Sequence, residues 1–147
     1  MAVEAPTRLA EQEVDAFNRG DWETMARLYG EHGVYHEIAT GQHLEGADQI
    51  AAAFVAWRDA FPDARGTITN SVSAGGQVIQ EVTWQGTQDG VLRTPEGSIP
   101  ASGKQVTIYA VQVLQSKDGQ IQEHRHYFDM LGMLQQIGAE GYLGLPP

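Results

Sequence analysis

An α+β architecture follows from the order of the periodicities in the chain, with helices covering one face of a curved antiparallel sheet. Up to Phe61 the apolar residues recur mostly at helical spacing, and after Pro62-Asp63 the period changes to two and stays there. Gly75-Gly76 and Asp118-Gly119 supply hairpin turns, so consecutive strands should pair antiparallel. A twisted sheet of this kind curls around the longest helix and leaves a pocket between the two.

Residues 1–6 are expected to fray. Thr7 can cap a first helix carrying Leu9, Ala10, Val14 and Phe17, which ends at Asn18-Arg19-Gly20. Asp21 caps a second, with Trp22, Met25, Ala26, Leu28 and Tyr29 buried, and Gly30 or Gly33 releases the chain. So short a connection makes the pair an antiparallel hairpin. Val34 to Thr40 reads as a strand, with Val34, His36 and Ile38 on one face and Tyr35 and Glu37 on the other. Gly41 and Gly46 bracket a short excursion. Asp48 can cap the longest helix, whose apolar face of Ile50, Ala53, Phe54, Trp57 and Phe61 runs until Pro62 stops it.

The later strands are expected over Thr67 to Ser73, Gln77 to Thr87, Lys104 to Gln115 and Gln120 to Asp129. Between the second and third of these, Gly90, Pro95, Gly97, Pro100 and Gly103 mark Gln88 to Gly103 as one long loop, either a lid or part of a dimer contact. The stretch Ile121 to Gly138 organises the rest. Strict alternation puts Ile121, Glu123, Arg125, Tyr127 and Asp129 on one strand face, and Met130, Leu131, Met133, Leu134 and Ile137 then form the stripe of a short helix closed by Gly138. Asp129 at this junction has two jobs open to it. It can cap the helix through the N–H groups of Leu131 or Gly132, or act as a general acid or base aimed into an apolar pocket. The spacing by itself favours the cap.

With 147 residues, 41% of them hydrophobic, and no cysteine, the chain is expected to be a single domain over 1–147 with one core and no disulfide. Nine Lys and Arg against nineteen Asp and Glu give a net charge of -10, which disfavours nucleic acid and anionic membrane surfaces as partners. No apolar run has signal-peptide or membrane-spanning length, so a cytoplasmic location is expected. His124 and His126 share a strand face at chelating distance, but no carboxylate stands at ligand spacing and no metal site is expected. No serine lies in an elbow motif, and no phosphate-binding glycine loop precedes a helix, which argues against triad hydrolysis and nucleotide chemistry.

Together the landmarks GDWETMARLY, VYHEIATGQHLEG, AFPD, WQGTQDG, PASGK and DGQIQEHRHYFDMLGMLQQIG resemble the SnoaL-like polyketide cyclases, from about Leu9 to Gly138. That family has the cone-shaped α+β barrel of the nuclear transport factor 2-like, or cystatin-like, folds. The resemblance implies a small homodimer with a hydrophobic pocket, no metal or organic cofactor, and a small hydrophobic carbonyl compound as substrate. It further implies an Asp at the end of the last strand as acid/base, which Asp129 matches. Tyr127 stands where the cyclases carry a substrate-binding His, and a phenol does not titrate near neutrality. His36 matches a polar residue of the first strand, and Tyr109 or Gln112 a polar pair on the penultimate one.

An aldol closure or isomerisation needs a base beside a carbonyl and donors for the enolate oxygen. The implied set is Asp129 as base, His36 and Tyr127 as its catalytic partners, and Arg125, Trp57, Phe61, Trp84, Tyr109 and Gln112 around the substrate. Each has another use. His36 can be a core histidine, Arg125 can pair with Glu123 or Asp129, and the aromatics can be core. Three rivals stand beside this one: a non-catalytic domain that binds a small apolar molecule, an epoxide hydrolase-like activity, which needs a second carboxylate near Arg125 and Asp129, and an interaction module that dimerises through the outer face of its sheet.

Overall fold

The computed structural model describes residues 5–95 and 97–143. α1 (Pro6–Arg19) already begins at Pro6, within the stretch expected to fray, and residues 1–4 lie outside the described residues. Proline suits this position because the first helical N–H groups have no intrahelical acceptor. Thr7, the expected cap, is therefore inside the helix, which ends on Gly20 in the left-handed conformation. α2 (Trp22–Tyr29) is capped as predicted by Asp21, whose carboxylate accepts the Thr24 N–H at 3.1 Å. α3 (Ala47–Ala60) starts after Gly46, so Asp48 sits in its first turn rather than capping it. There its charge still favours the helix N-terminus.

Among the described residues the strands are β1 (Val34–Glu37), β2 (Gln42–Glu45), β3 (Arg65–Ala74), β4 (Gln77–Thr87), β5 (Leu92–Thr94), β6 (Gly97–Ile99), β7 (Gln105–Lys117) and β8 (Gln120–Tyr127). Six form one sheet in the order β2-β1-β8-β7-β4-β3, and β5 and β6 make a separate hairpin. The excursion between Gly41 and Gly46 is thus a strand, β2. The sheet is mixed rather than antiparallel, because β1 runs parallel to β8. Tight turns dictate direction only between neighbours in sequence, and most of the chain separates these two strands.

Residues 88–103 are not a plain loop. The β5–β6 hairpin lies within them, and the buried Gln88 side chain holds the segment by donating to the carbonyls of Gly90, Ile99 and Pro100 and accepting from the Ser102 N–H. Leu92 and Ile99 then join Phe61, Val106, Met133 and Leu134 in one apolar cluster. A second cluster, with Phe17, Met25, Tyr29, Ile50, Phe54 and Leu114, fills the space between the first three helices and the sheet, and Trp57 packs against both.

The strand β8 carries the largest correction. Asp118 and Gly119 at φ 54° and 77° make the predicted tight turn into it. Glu123 opposes Gln115 and Ile121 opposes Ser116, however, which leaves Gln122 as an unpaired bulge residue. A bulge exchanges the faces of everything beyond it. Ile121 points inward as expected, but so do His124 and His126, whereas Glu123, Arg125 and Tyr127 face outward. α4 (Met130–Gln136) follows, with Gly138 in the left-handed conformation just past its end, and a 3-10 turn spans Glu140–Leu143. Among the described residues no helix is long and apolar enough to cross a membrane.

Candidate active site

An apolar pocket opens between α3 and the inner face of the sheet. Phe54, Trp57 and Phe61 from the helix side and Trp84, Val106 and Ile108 from the strands form most of its wall. Its empty space, the open solvent at the mouth included, is about 590 Å³. Helical spacing puts the three helix-side aromatics on one face, and the unbroken pairing of β4 with β7 turns Trp84 and Ile108 to the same side.

The polar pole of this pocket is built by two parallel strands. β1 and β8 pair Tyr35 with His124 and Glu37 with His126, all four inward and buried. His126 also lines the pocket. Tyr35 Oη lies 3.0 Å from His126 Nδ1 and donates to Glu37 Oε2 at 2.9 Å. The hydroxyl has one hydrogen and spends it on Glu37, so His126 Nδ1 must be the protonated ring nitrogen that donates to Tyr35. Nε2 is then a bare lone pair, and it has no partner among the described residues. Glu37 accepts twice more, from Trp57 Nε1 at 2.9 Å and Thr40 Oγ1 at 2.7 Å. Burial, and after it the neighbouring His124, holds His126 well below the ordinary imidazole pKa, so the ring is neutral. Burial first and the Glu37 carboxylate second push the Tyr35 phenol well up, which keeps it a donor.

A second buried cluster stands behind the first. Tyr29 donates to Glu13 Oε2, which lies 2.9 Å from His124 Nδ1, and Tyr29 Oη is 2.6 Å from the same nitrogen. The His124 and His126 rings are 5.7 Å apart between centroids, so the two clusters form one continuous polar column in the interior. Burial raises the Tyr29 phenol strongly, with Glu13 adding to it.

The family model of SnoaL-like polyketide cyclases matches residues 7–137. The chain belongs to the SnoaL-like polyketide cyclase family. Among solved structures, IdmH of Streptomyces antibioticus, a polyketide cyclase by assignment, is 24% identical at TM-score 0.77, covering 92% of this chain and 99% of that one. A SnoaL-like protein from Jannaschia sp. CCS1 is 22% identical at TM-score 0.80, covering 97% and 93%. A protein of ketosteroid isomerase-like fold from Catenulispora acidiphila is 19% identical at TM-score 0.77, covering 95% and 97%. At these identities the likeness is one of fold. No curated protein matches the sequence.

On this SnoaL-like framework the residues singled out from sequence separate into two groups. Trp57, Phe61 and Trp84 come together in the pocket wall, and Trp57 reaches Glu37 as well. Gln112 is buried on the same inner face, where it donates to Gln80, but it does not line the pocket. The others are not brought to it. Asp129 is exposed, and its carboxylate caps α4 by accepting the Gly132 N–H at 2.8 Å. His36 lies on the outer face of β1 with its Nδ1 2.9 Å from that of His43 on β2. Arg125 pairs with Glu123 at 2.5 Å, while Tyr127 and Tyr109 are exposed at 41% and 78%. Glu13, Tyr29, Tyr35, Glu37, His124 and His126 were absent from the predicted site. For the four on β1 and β8 the signal in the sequence is a Tyr-x-Glu strand and a His-x-His strand, each with both polar residues on one face, whereas Glu13 on α1 and Tyr29 on α2 belong to neither pattern.

Proposed function

We propose that this protein transfers a proton next to a carbonyl group in a hydrophobic substrate, with His126 as the acid/base, and so closes a ring by aldol condensation or shifts a double bond. The observation that carries this reading is His126 itself, a residue of the apolar pocket's wall whose Nδ1 is held from behind and whose Nε2 is buried without a partner. A fixed tautomer presents a lone pair instead of an N–H to the substrate, as a general base must. The proton leaves the substrate carbon for Nε2, and the enolate charge develops on the carbonyl oxygen. The imidazolium that forms donates through Nδ1 to Tyr35, which is oriented by the Glu37 carboxylate. Trp84 Nε1–H supports the oxygen. It is buried without a partner, and its ring lies in the same pocket wall, 6.2 Å from His126 between centroids. In an aldol closure the enolate carbon attacks a second carbonyl of the same molecule, whose oxygen recovers the proton from Nε2. In an isomerisation the proton returns at another carbon.

A neutral imidazole whose pKa is held low is a mild base. It suits carbon acids already activated by two flanking carbonyls, as along a poly-β-ketone chain, and it needs no metal or organic cofactor. Asp129, the acid/base implied by the family resemblance, is less suited on geometry. Its carboxylate is exposed and engaged as a helix cap, whereas His126 is enclosed and free at Nε2. Arg125, which an epoxide-opening site would need, is turned to the outer face and paired with Glu123.

The test is native mass spectrometry of the protein with a library of aromatic polyketide, steroid and terpenoid carbonyl compounds, repeated with His126→Gln. A compound that wild type converts and His126→Gln merely retains supports the reading and names the substrate class. Ligands that both proteins bind and neither alters would make this a binding domain.

A further inference from the structure

The hydrogen-bonded chain behind His126 does not end in the core. Glu37 is 1% exposed and accepts from Tyr35, Trp57 and Thr40, all neutral donors. A carboxylate is costly to bury, and this one accepts at both of its oxygens, which a neutral amide with a single acceptor oxygen could not reproduce. Its two oxygens also face different ways. Oε2 takes the Tyr35 and Trp57 hydrogens on the pocket side, and Oε1 takes the Thr40 hydroxyl. Thr40 belongs to the turn between β1 and β2 and is half-exposed. It lines a second cleft, with Ile99, Met130, Leu134 and Tyr142, which shares no residue with the aromatic pocket.

We propose that Glu37 is the proton terminal of this site and that Thr40 connects it to solvent through the second cleft, leaving the aromatic pocket to the substrate. The inference rests on the reading of His126 as the acid/base. When Nε2 takes a proton from substrate carbon, the Nδ1 proton passes to Tyr35 Oη as the Tyr35 hydroxyl proton passes to Glu37 Oε2. The ring is then neutral with its hydrogen on Nε2, and the carboxyl is neutral as well. Rotation of the carboxyl group presents its proton to Thr40 Oγ1, whose own proton goes to a water in the cleft, and the reverse sequence resets the tautomer. Tyr35, Glu37 and Thr40 act through His126 and are positioning and relay residues. A hydrophobic substrate that fills the pocket therefore need not trap the proton it gives up.

The relay can be read without a substrate. With 15N-labelled histidine, the Nδ1–H resonance of His126, assigned by its loss in His126→Gln, reports exchange with water by saturation transfer. Thr40→Val should slow that exchange by about tenfold or more. Thr40→Ser should restore it, and Phe61→Ala, which widens the aromatic pocket, should leave it unchanged. A resonance that exchanges equally fast, or is equally broadened, in wild type and Thr40→Val overturns the proposal, as does acceleration in Phe61→Ala alone. Because no turnover is measured, a failed relay is distinguishable from a failed catalytic reading, which loss or retention of conversion in His126→Gln decides separately.

Discussion

Removing the hydroxyl of Tyr35 isolates the hydrogen bond that fixes the His126 tautomer. Tyr35→Phe keeps the ring, which is 1% exposed and packs edge-on against Phe54 and His124, so the apolar contribution is nearly unchanged. Glu37 loses one donor and keeps Trp57 and Thr40. His126 Nδ1 loses the partner 3.0 Å away and becomes a buried polar atom without a hydrogen bond. Stranding one such group costs about 2 kcal/mol. In a domain of this size that lowers Tm by about 4–8 °C. Thermal unfolding followed by circular dichroism measures the loss, and 15N NMR of the imidazole reads the tautomer. Wild type should carry its hydrogen on Nδ1, and Tyr35→Phe should shift the population towards Nε2. An unchanged Tm together with an unchanged tautomer would refute the reasoning, as would a wild-type ring already protonated at Nε2.

The low pKa of buried His126 makes stability depend on pH in a definite direction. Its folded pKa lies below the ordinary 6.5, so its contribution is fully present above pH 6.5 and is lost as pH falls from there towards the folded value. This one group can contribute a slope of up to about 1.4 kcal/mol per pH unit. Denaturant unfolding at pH 7 and pH 5 should show a smaller loss for His126→Gln than for wild type, and equal losses would count against the assignment. At the start of α4, Asp129→Asn preserves the acceptor for the Gly132 N–H and should melt close to wild type, whereas Asp129→Ala should cost about 1 kcal/mol. Melting curves of the two variants that coincide would mean that the side chain is no cap.

The helices, the β3–β4 and β7–β8 hairpins and the aromatic wall were legible because each rests on a local signal. Gly20 ends α1, Asp21 caps α2, and helical spacing places Trp57 and Phe61 together. The polar pole was not legible, and one residue accounts for most of the failure. Nothing in the neighbourhood of Gln122 marks a bulge, and no glycine stands there. Strict alternation from Ile121 therefore carried Arg125, Tyr127 and Asp129 to the inner face and His124 and His126 to the outer one. On β1 the alternation itself was right, and Tyr35 and Glu37 do oppose His36. What could not be read was which of the two faces the helices cover, because that depends on the parallel contact with β8. Between Tyr109 and Gln112 the register alone decided, and it turned Gln112 inward and Tyr109 to solvent.

Hydrogen exchange at a ketone tests the central claim most directly. Wild type, His126→Gln and Asp129→Asn are each incubated in D2O with a substrate found in the library, and deuterium incorporation next to the carbonyl is followed by mass spectrometry. With His126 as the base, wild type and Asp129→Asn incorporate deuterium at similar rates and His126→Gln falls by about 100-fold or more. Incorporation that survives in His126→Gln and is lost in Asp129→Asn would contradict the account and return the acid/base role to the end of the strand.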